Sequence, residues 1–273
     1  MIKLDGQTAL ITGASSGIGE GLARALHRAG ANVVLVARRK DLLEDLAREL
    51  NQVRSGSAEA LSADLSIARS PDEQLLGLEE ISAWIRGHSI DILVNNAGFG
   101  SFGPFHSLSI ERELEMVRLN IEAPLVLTHA VLPQLLEKNT GGIIFLASIA
   151  AFQPIPYMAT YAGTKAFDFY HGLALRSEYR NTKIRFLTVC PGPVQTEFGG
   201  VARVPGEMTN IPRNSVDQVV REVMRAYSRG SSLVVPCFKA KFLAFLSAYV
   251  PKRFSTRLTE MALRSSLPKG KFV

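Results

Sequence analysis

The segment "TALITGASSGIG", residues 8–19, runs from an apolar, β-rich pentapeptide through a glycine-rich turn into sequence of helical period. "TALIT" reads as a buried strand. From Gly17 onward Ile18, Leu22, Ala25, Leu26 and Ala29 recur at spacings of three and four, which predicts a helix with one apolar face. Between them Gly13, Gly17 and Gly19 form the pattern G-x-x-x-G-x-G. Such a loop lets the backbone approach an anion closely and aims the free N–H groups of a helix N-terminus at it. A tight turn alone would also use glycines. The position after an apolar strand and at the opening of a helix favours a pyrophosphate.

Outward from that loop, short β-rich runs alternate with longer stretches of helical period, the pattern of a parallel sheet covered by helices. Strands are expected at "NVVLVA", "AEALSADL", "IDILVNNAG", "GGIIFLAS", "IRFLTVCPG" and "SLVVP". Helices are expected at "DLLEDLARELNQV", at "DEQLLGLEEISAWIRG" and around Tyr161. "SIERELEMVRLNIEAPLVLTHAVLPQLLE" predicts a long helix, kinked or broken at Pro124 or Pro133. Residues 191–214, which include Pro205 and Pro212, form the long irregular insertion.

A chain of 273 residues with 47% hydrophobic content suffices for one large α/β domain and requires no second. Cys190 and Cys237 are its only cysteines, too few for a disulfide framework or a Cys-rich zinc site, and no metal is expected. That usage suits a reducing cytosol, and "MIKLDGQTALITG" lacks the basic and apolar regions of a secretory signal, so a cytoplasmic location is expected. Charge is uneven: residues 239–273 hold eight basic side chains against Glu260 alone, leaving the other 238 residues at −1 of the formal net +6. The basicity is a C-terminal property, better explained by solvated lysines and arginines than by nucleic-acid binding.

Two further groups of residues carry chemistry. After the second strand Ala37 is followed by Arg38 and Arg39, where a protein that binds NAD often places a carboxylate for the ribose hydroxyls. Guanidinium groups attract a 2′-phosphate, so NADP(H) is preferred, with contact expected through Arg38 more than Arg39, and NAD(H) stays open. Farther on, Tyr161 and Lys165 stand four apart, with Ser148 thirteen residues before the tyrosine. On a helix that spacing puts the pair on one face about 6 Å apart along the axis. A phenol has an unperturbed pKa of about 10. A nearby ammonium is expected to lower it and make the tyrosine useful in proton transfer.

Taken in order, "TGASSGIG", Asp64, "NNAG" at residues 95–98, Asn120, Ser148, "YAGTK" and "PGPVQT" at residues 191–196 resemble the short-chain dehydrogenase/reductase family over roughly residues 5–236. The resemblance implies a Rossmann-type doubly wound parallel sheet of about seven strands, forming a single α/β domain with a C-terminal helical extension. It implies hydride transfer between a nicotinamide and a carbonyl or secondary alcohol, with Asn120, Ser148, Tyr161 and Lys165 as the catalytic set. Ser148 would hydrogen-bond the reacting oxygen, Tyr161 transfer the proton, and Lys165 depress the tyrosine pKa and hold the nicotinamide ribose. Asn120 would anchor a water linking Lys165 to solvent. Cofactor contacts are implied at Gly13, Ser15, Ser16, Gly17, Ile18 and Gly19, at Arg38, Asp64 and Leu65, at Asn96, Ala97 and Gly98, and at Pro191, Gly192, Val194 and Thr196, besides Tyr161 and Lys165. Homodimers or homotetramers are common in the family.

Two features lie outside those motifs. "TEFGGVARVPGEMTNIP" occupies the place of a substrate lid, about residues 191–214, with Phe198, Val201, Met208 and Ile211 as an apolar inner face. With Phe99, Phe102, Phe105, Phe152, Ile155 and Tyr157 it would enclose a hydrophobic carbonyl compound. The C-terminal extension resembles those of short-chain reductases related to 3-ketoacyl and 17β-hydroxysteroid enzymes, which implies a 3-oxoacyl group, steroid or other lipid-like ketone as substrate. Residues 239–273 form a basic, amphipathic extension beyond a catalytic domain of residues 1–238. Its apolar run at residues 242–250 is too short for the roughly 20 residues that span a bilayer. Phe242, Leu243, Phe245, Leu246, Tyr249 and Val250 instead suggest a helical face that docks on the body, on a second subunit, or peripherally on an anionic membrane. An NADP-sensing, or membrane- or nucleic-acid-associated, binding module that uses the same fold without turnover is the alternative to an enzyme, and the intact catalytic set argues against it.

Overall fold

The computed structural model describes residues 2–70, 75–202, 213–236 and 250–264. Its strands are β1 (Thr8–Thr12), β2 (Asn32–Ala37), β3 (Ala58–Ser62), β4 (Ile92–Asn95), β5 (Gly142–Leu146), β6 (Arg185–Val189) and β7 (Leu233–Val234). All pair in parallel in the order β3-β2-β1-β4-β5-β6-β7. The winding reverses between β1 and β4. In such sheets ligands bind at the carboxyl ends of the strands beside that reversal, which is where β1 delivers the glycine loop.

Strand residues alternate between two apolar cores because successive side chains point to opposite faces. One face carries Ala9, Ile11, Val33, Leu35, Val94, Ile144 and Leu187. Against it pack α1 (Gly17–Arg28), α2 (Lys40–Val53) and α8 (Val216–Ser228) through Leu22, Leu26, Leu43, Leu46, Val219, Val223 and Tyr227. The other face carries Leu10, Val34, Val36, Leu93, Ile143, Phe145 and Phe186. It is covered by α3 (Leu78–Gly87) and α5 (Ala123–Lys138) through Ile81, Ile85, Leu127, Val131 and Leu135. Helix α6 (Ala159–Glu178) lies on the same face, with Leu175 against its core and Gly172 beside Phe145; α4 (Ile110–Val117) precedes α5, a short α7 (Phe198–Val201) follows β6, and α9 (Lys252–Arg264) comes last.

The seven-strand parallel sheet agrees with the sequence reading, and the departures have local causes. β3 stops at Ser62, because Asp64 and Leu76 bond to each other's strand instead: Asp64 N–H donates to Leu76 O at 2.8 Å and Leu76 N–H to Ser62 O at 2.9 Å. Leu76 therefore forms an isolated parallel bridge with Ala63, and α3 begins only at Leu78, after Gly77, whose N–H is capped by the Glu80 carboxylate. The part of that expected helix at residues 71–74 lies outside the described residues. The helix α8 was not anticipated at all, although Ser215 caps it and Val219, Val220, Val223, Ala226 and Tyr227 recur with helical period.

The long helix breaks ahead of its first proline. Residues Arg118–Glu122 form a π-turn between α4 and α5, with the Ala123 N–H bonded to Arg118 O. Pro124 has no N–H for the carbonyl four residues back, and its ring crowds that carbonyl. Widening the turn relieves the clash and carries Asn120 inward, where it is buried. Pro133 lies within continuous α5.

Candidate active site

The β1–α1 loop is held by the exit of β4. Thr12 Oγ1 donates to Val94 O at 3.2 Å and accepts from the N–H groups of Asn96 and Ala97 at 2.9 and 3.0 Å. The Asn96 amide donates back to Thr12 O at 2.8 Å and Gly13 O at 3.2 Å. A side chain at Gly19 would put its Cβ 2.2 Å from the Gly13 carbonyl oxygen, so only glycine lets the loop fold this tightly against the start of α1. Ser16 stands at the N-cap of α1 and its hydroxyl accepts from Arg39, not from the helix. The first-turn amides of Gly17, Ile18 and Gly19 thus face a tight glycine cradle. That arrangement fits the pyrophosphate of a dinucleotide.

The two arginines after β2 separate. Arg38 faces carboxylates, 3.1 Å from Glu115 Oε1 and 3.7 Å from Asp64 Oδ2. Asp64 also accepts from the Ser66 N–H and hydroxyl at 2.9 and 2.6 Å, and Leu65 beside it is buried. Arg39 instead reaches the glycine loop. It donates to Ser15 Oγ and Ser16 Oγ at 3.1 and 2.8 Å and pairs with Glu197 at 3.0 Å. Arg38, singled out from sequence, is paired with two carboxylates, and Arg39 is the one joined to the loop serines.

Beyond β5, Ser148 caps the 3-10 turn Ile149–Phe152 by accepting from Ala150 N–H at 3.1 Å. Ile149 N–H donates to Pro191 O at 3.1 Å, which ties this turn to the exit of β6. From there the chain runs through Gly192 to Val194, bridged to Asn214, and to Thr196, whose hydroxyl accepts from Phe198 N–H at 3.3 Å. One helical turn apart on α6, Tyr161 and Lys165 are both buried, at 8% and 6% exposure, so neither is the surface residue its type suggests. Lys165 Nζ donates to Leu146 O at 2.7 Å and to Asp168 Oδ2 at 2.9 Å.

Asn120 completes the group. Its Nδ2 donates to Phe99 O at 2.9 Å and Thr164 Oγ1 at 3.0 Å, and its Oδ1 accepts from Phe99 N–H at 3.2 Å. The amide therefore locks the loop after β4 to α6. Gly98 lies in the gap, since a Cβ there would sit 2.9 Å from Asn120 Oδ1 and 3.6 Å from Lys165 Nζ.

The electrostatics correct one expectation. Burial raises the Tyr161 phenol above its ordinary pKa, outweighing the Lys165 ammonium and the Ser148 hydroxyl, which both pull it down. Lysine's effect has the expected sign, but desolvation is larger. Burial pulls the Lys165 ammonium down, yet Asp168 and Tyr161 together hold it above the usual lysine value. Cys190, at the end of β6, is pushed up to about 12 by burial, so it stays a thiol.

An apolar wall adjoins the tyrosine. Phe99, Phe102, Met116, Met158 and Tyr161 cluster with Ile155, Tyr157 and Phe198, and the Phe198 ring lies 5.3 Å from that of Tyr161. Phe105 is 63% exposed and Phe152 packs on Phe169 in a separate cluster, so neither joins this wall. Val201 is exposed, while Met208 and Ile211 lie outside the described residues. Helix α9 docks behind the wall: Tyr157 donates to Glu260 Oε1 at 2.6 Å, Gln153 to Thr259 Oγ1 at 3.3 Å and Lys252 to Phe152 O at 2.8 Å. The apolar face expected at residues 242–249 lies outside the described residues.

Comparison with known proteins agrees with this geometry. The family model described as short chain dehydrogenase matches residues 7–204. An NADP-dependent 3-hydroxy acid dehydrogenase of Schizosaccharomyces pombe is 33% identical over 244 residues, covering 86% of this chain and 92% of that protein. A short-chain dehydrogenase from Sphingobium yanoikuyae, solved in complex with NADPH, superposes with a TM-score of 0.78 at 30% identity, covering 98% of both chains. The bulky-bulky ketone specific alcohol dehydrogenase from Comamonas testosteroni gives a TM-score of 0.73 at 27% identity over 98% of this chain and 97% of that one. A glycine cradle at the sheet reversal, a buried Tyr–Lys pair beside Ser148, and these matches together place the chain in the short chain dehydrogenase family of oxidoreductases.

Proposed function

We propose that this chain is an NADP(H)-dependent oxidoreductase that interconverts a bulky hydrophobic ketone and its secondary alcohol. The observation that carries the reading is the convergence of Ser148, Tyr161 and Lys165 beside the glycine cradle, with Tyr161 packed into the apolar wall of Phe99, Phe102 and Phe198. The cradle of residues 13–19 holds the pyrophosphate, Asp64 and Leu65 the adenine side, and Asn96 to Gly98 with residues 191–196 the nicotinamide side. Arg39, with Ser15 and Ser16, takes the 2′-phosphate, flanked by Arg38. The nicotinamide, when bound, supplies or accepts the hydride.

The chain's own residues do the rest. Ser148 orients the substrate oxygen. Tyr161, kept protonated by burial, gives its proton to that oxygen in the reductive direction, and the Lys165 ammonium stabilises the phenolate left behind. Asn120 anchors the water that returns a proton through Lys165. Bulky-ketone specificity in the Comamonas relative and the NADPH bound by the Sphingobium relative are in keeping with this reading.

The test is consumption of NADPH by purified protein across a panel of hydrophobic ketones, 3-oxoacyl thioesters and steroid ketones. Tyr161→Phe is expected to lower kcat by about 10²–10⁴-fold while NADPH still binds. Turnover that survives the substitution would defeat the assignment.

A further inference from the structure

Three residues beyond Lys165, α6 places Asp168 on the same inward face, 3% exposed. No motif of the sequence reading includes it. Its Oδ2 accepts from Lys165 Nζ at 2.9 Å, and its Oδ1 is buried without a partner. A cavity of about 10 Å³ adjoins it, bounded by Thr12, Asn95, Leu119, Pro124 and Leu127. That is the size at which a buried site accepts one water. Asn95, 7% exposed, commits its Nδ2 to Thr128 Oγ1 at 3.1 Å and leaves its Oδ1 buried and unpartnered. The Thr12 hydroxyl is already engaged by Val94, Asn96 and Ala97. Two unpaired acceptors on one water-sized cavity match the two hydrogens of a single water.

We propose that Asp168 is a positioning residue for Lys165: its Oδ2 holds the ammonium in place, and its Oδ1 shares one buried water with the Asn95 amide oxygen. The inference rests on the proton-transfer role proposed for Tyr161 and Lys165. Lys165 then carries a resident counterion, and its Nζ is fixed between Asp168 and the Leu146 carbonyl before any substrate arrives. The carboxylate has a second effect. Burial raises the Asp168 carboxyl and the Lys165 ammonium beside it pulls it back down; as that ammonium's partner its charge opposes ionisation of Tyr161 across the lysine and helps to keep the phenol protonated. The titratable groups facing Lys165 are Asp168 and Tyr161 on α6 and Cys190 at the end of β6, and those facing Tyr161 are Lys165 and Asp168.

Asp168→Asn keeps the shape and removes the charge. In the cofactor-free protein, the tyrosinate absorbance titration attributable to Tyr161, taken by difference against Tyr161→Phe, is expected to move down by about 1 pH unit. The alkaline limb of kcat/KM for ketone reduction should move down with it, since reduction needs the protonated phenol. Asp168→Glu, which keeps the charge, is expected to titrate as the wild type does. Lowered activity with an unmoved titration, or a glutamate variant that shifts as far as the asparagine one, would overturn the proposal. Because the absorbance titration needs no turnover, it distinguishes this outcome from failure of the proposed function, which Tyr161→Phe activity reports. A crystal structure should show one water within hydrogen-bonding distance of both Asp168 Oδ1 and Asn95 Oδ1. A dry cavity would remove the water from the proposal.

Discussion

The adjacent arginines in the turn between β2 and α2 do different things because they meet different neighbours. Arg38 is drawn to Asp64 and Glu115, while Arg39 crosses to Ser15, Ser16 and Glu197. Arg39→Ala is therefore expected to raise KM for NADPH on the order of tenfold, the range of one charge-assisted hydrogen bond, with KM for NADH nearly unchanged. Arg38→Ala should have the smaller effect; the reverse order, measured by initial rates with both cofactors, would reassign the phosphate. Tyr161, Lys165 and Ser148 were legible in the sequence less from their spacing, which is common, than from their place among the ordered motifs that resemble the family. Asp168 was not, because an aspartate at a helical i, i+3 position is ordinarily a solvated residue. What makes it unusual is the depth of α6 in the fold and the closed cavity behind it, and both depend on β1, β4 and α5. The raised pKa of Tyr161 was hidden for the same reason, since desolvation is a property of the packed surroundings.

At the scale of elements, the glycine loop is the part most fully written in the chain. Its strand, turn and helix are contiguous, so local propensity and local sterics act together. Gly19→Ala would set a methyl 2.2 Å from the Gly13 carbonyl oxygen, and a cost of about 1–3 kcal/mol is expected from such overpacking. Thermal unfolding should show a lowered Tm, and NADPH binding should weaken, since the loop must open to accept the methyl. An unchanged Tm with unchanged binding would mean that the cradle is not rigid. The break in the long helix was half legible: Pro124 announced it, but its form, a π-turn that turns Asn120 inward, came from the need to relieve the carbonyl four residues back. The helix α8 has a clear 3.6-residue period and a serine cap, yet it follows an irregular insertion, and its place against α1 is visible only once the sheet brings them together.

Over the whole molecule, α9 joins the C-terminal extension to the apolar wall of the site. Tyr157 has a left-handed backbone, φ 66°, which is costly for a bulky residue. Its ring packs with the wall while its hydroxyl is held by Glu260. Tyr157→Phe should raise KM for a bulky ketone about threefold to tenfold, the span of a single hydrogen bond, with kcat little altered. A fall in kcat at constant KM would place the residue in the chemistry instead. By itself the sequence determined the parallel α/β architecture, the glycine cradle and the Ser–Tyr–Lys constellation, because each rests on residues close in the chain or on a periodicity repeated in every element. Only the tertiary structure decided which arginine meets the glycine loop, which phenylalanines face the tyrosine, that Asp168 sits under Lys165, and that α9 docks behind the site. Those outcomes depend on burial and on contacts between residues a hundred or more positions apart, and no local pattern encodes a distance of that kind.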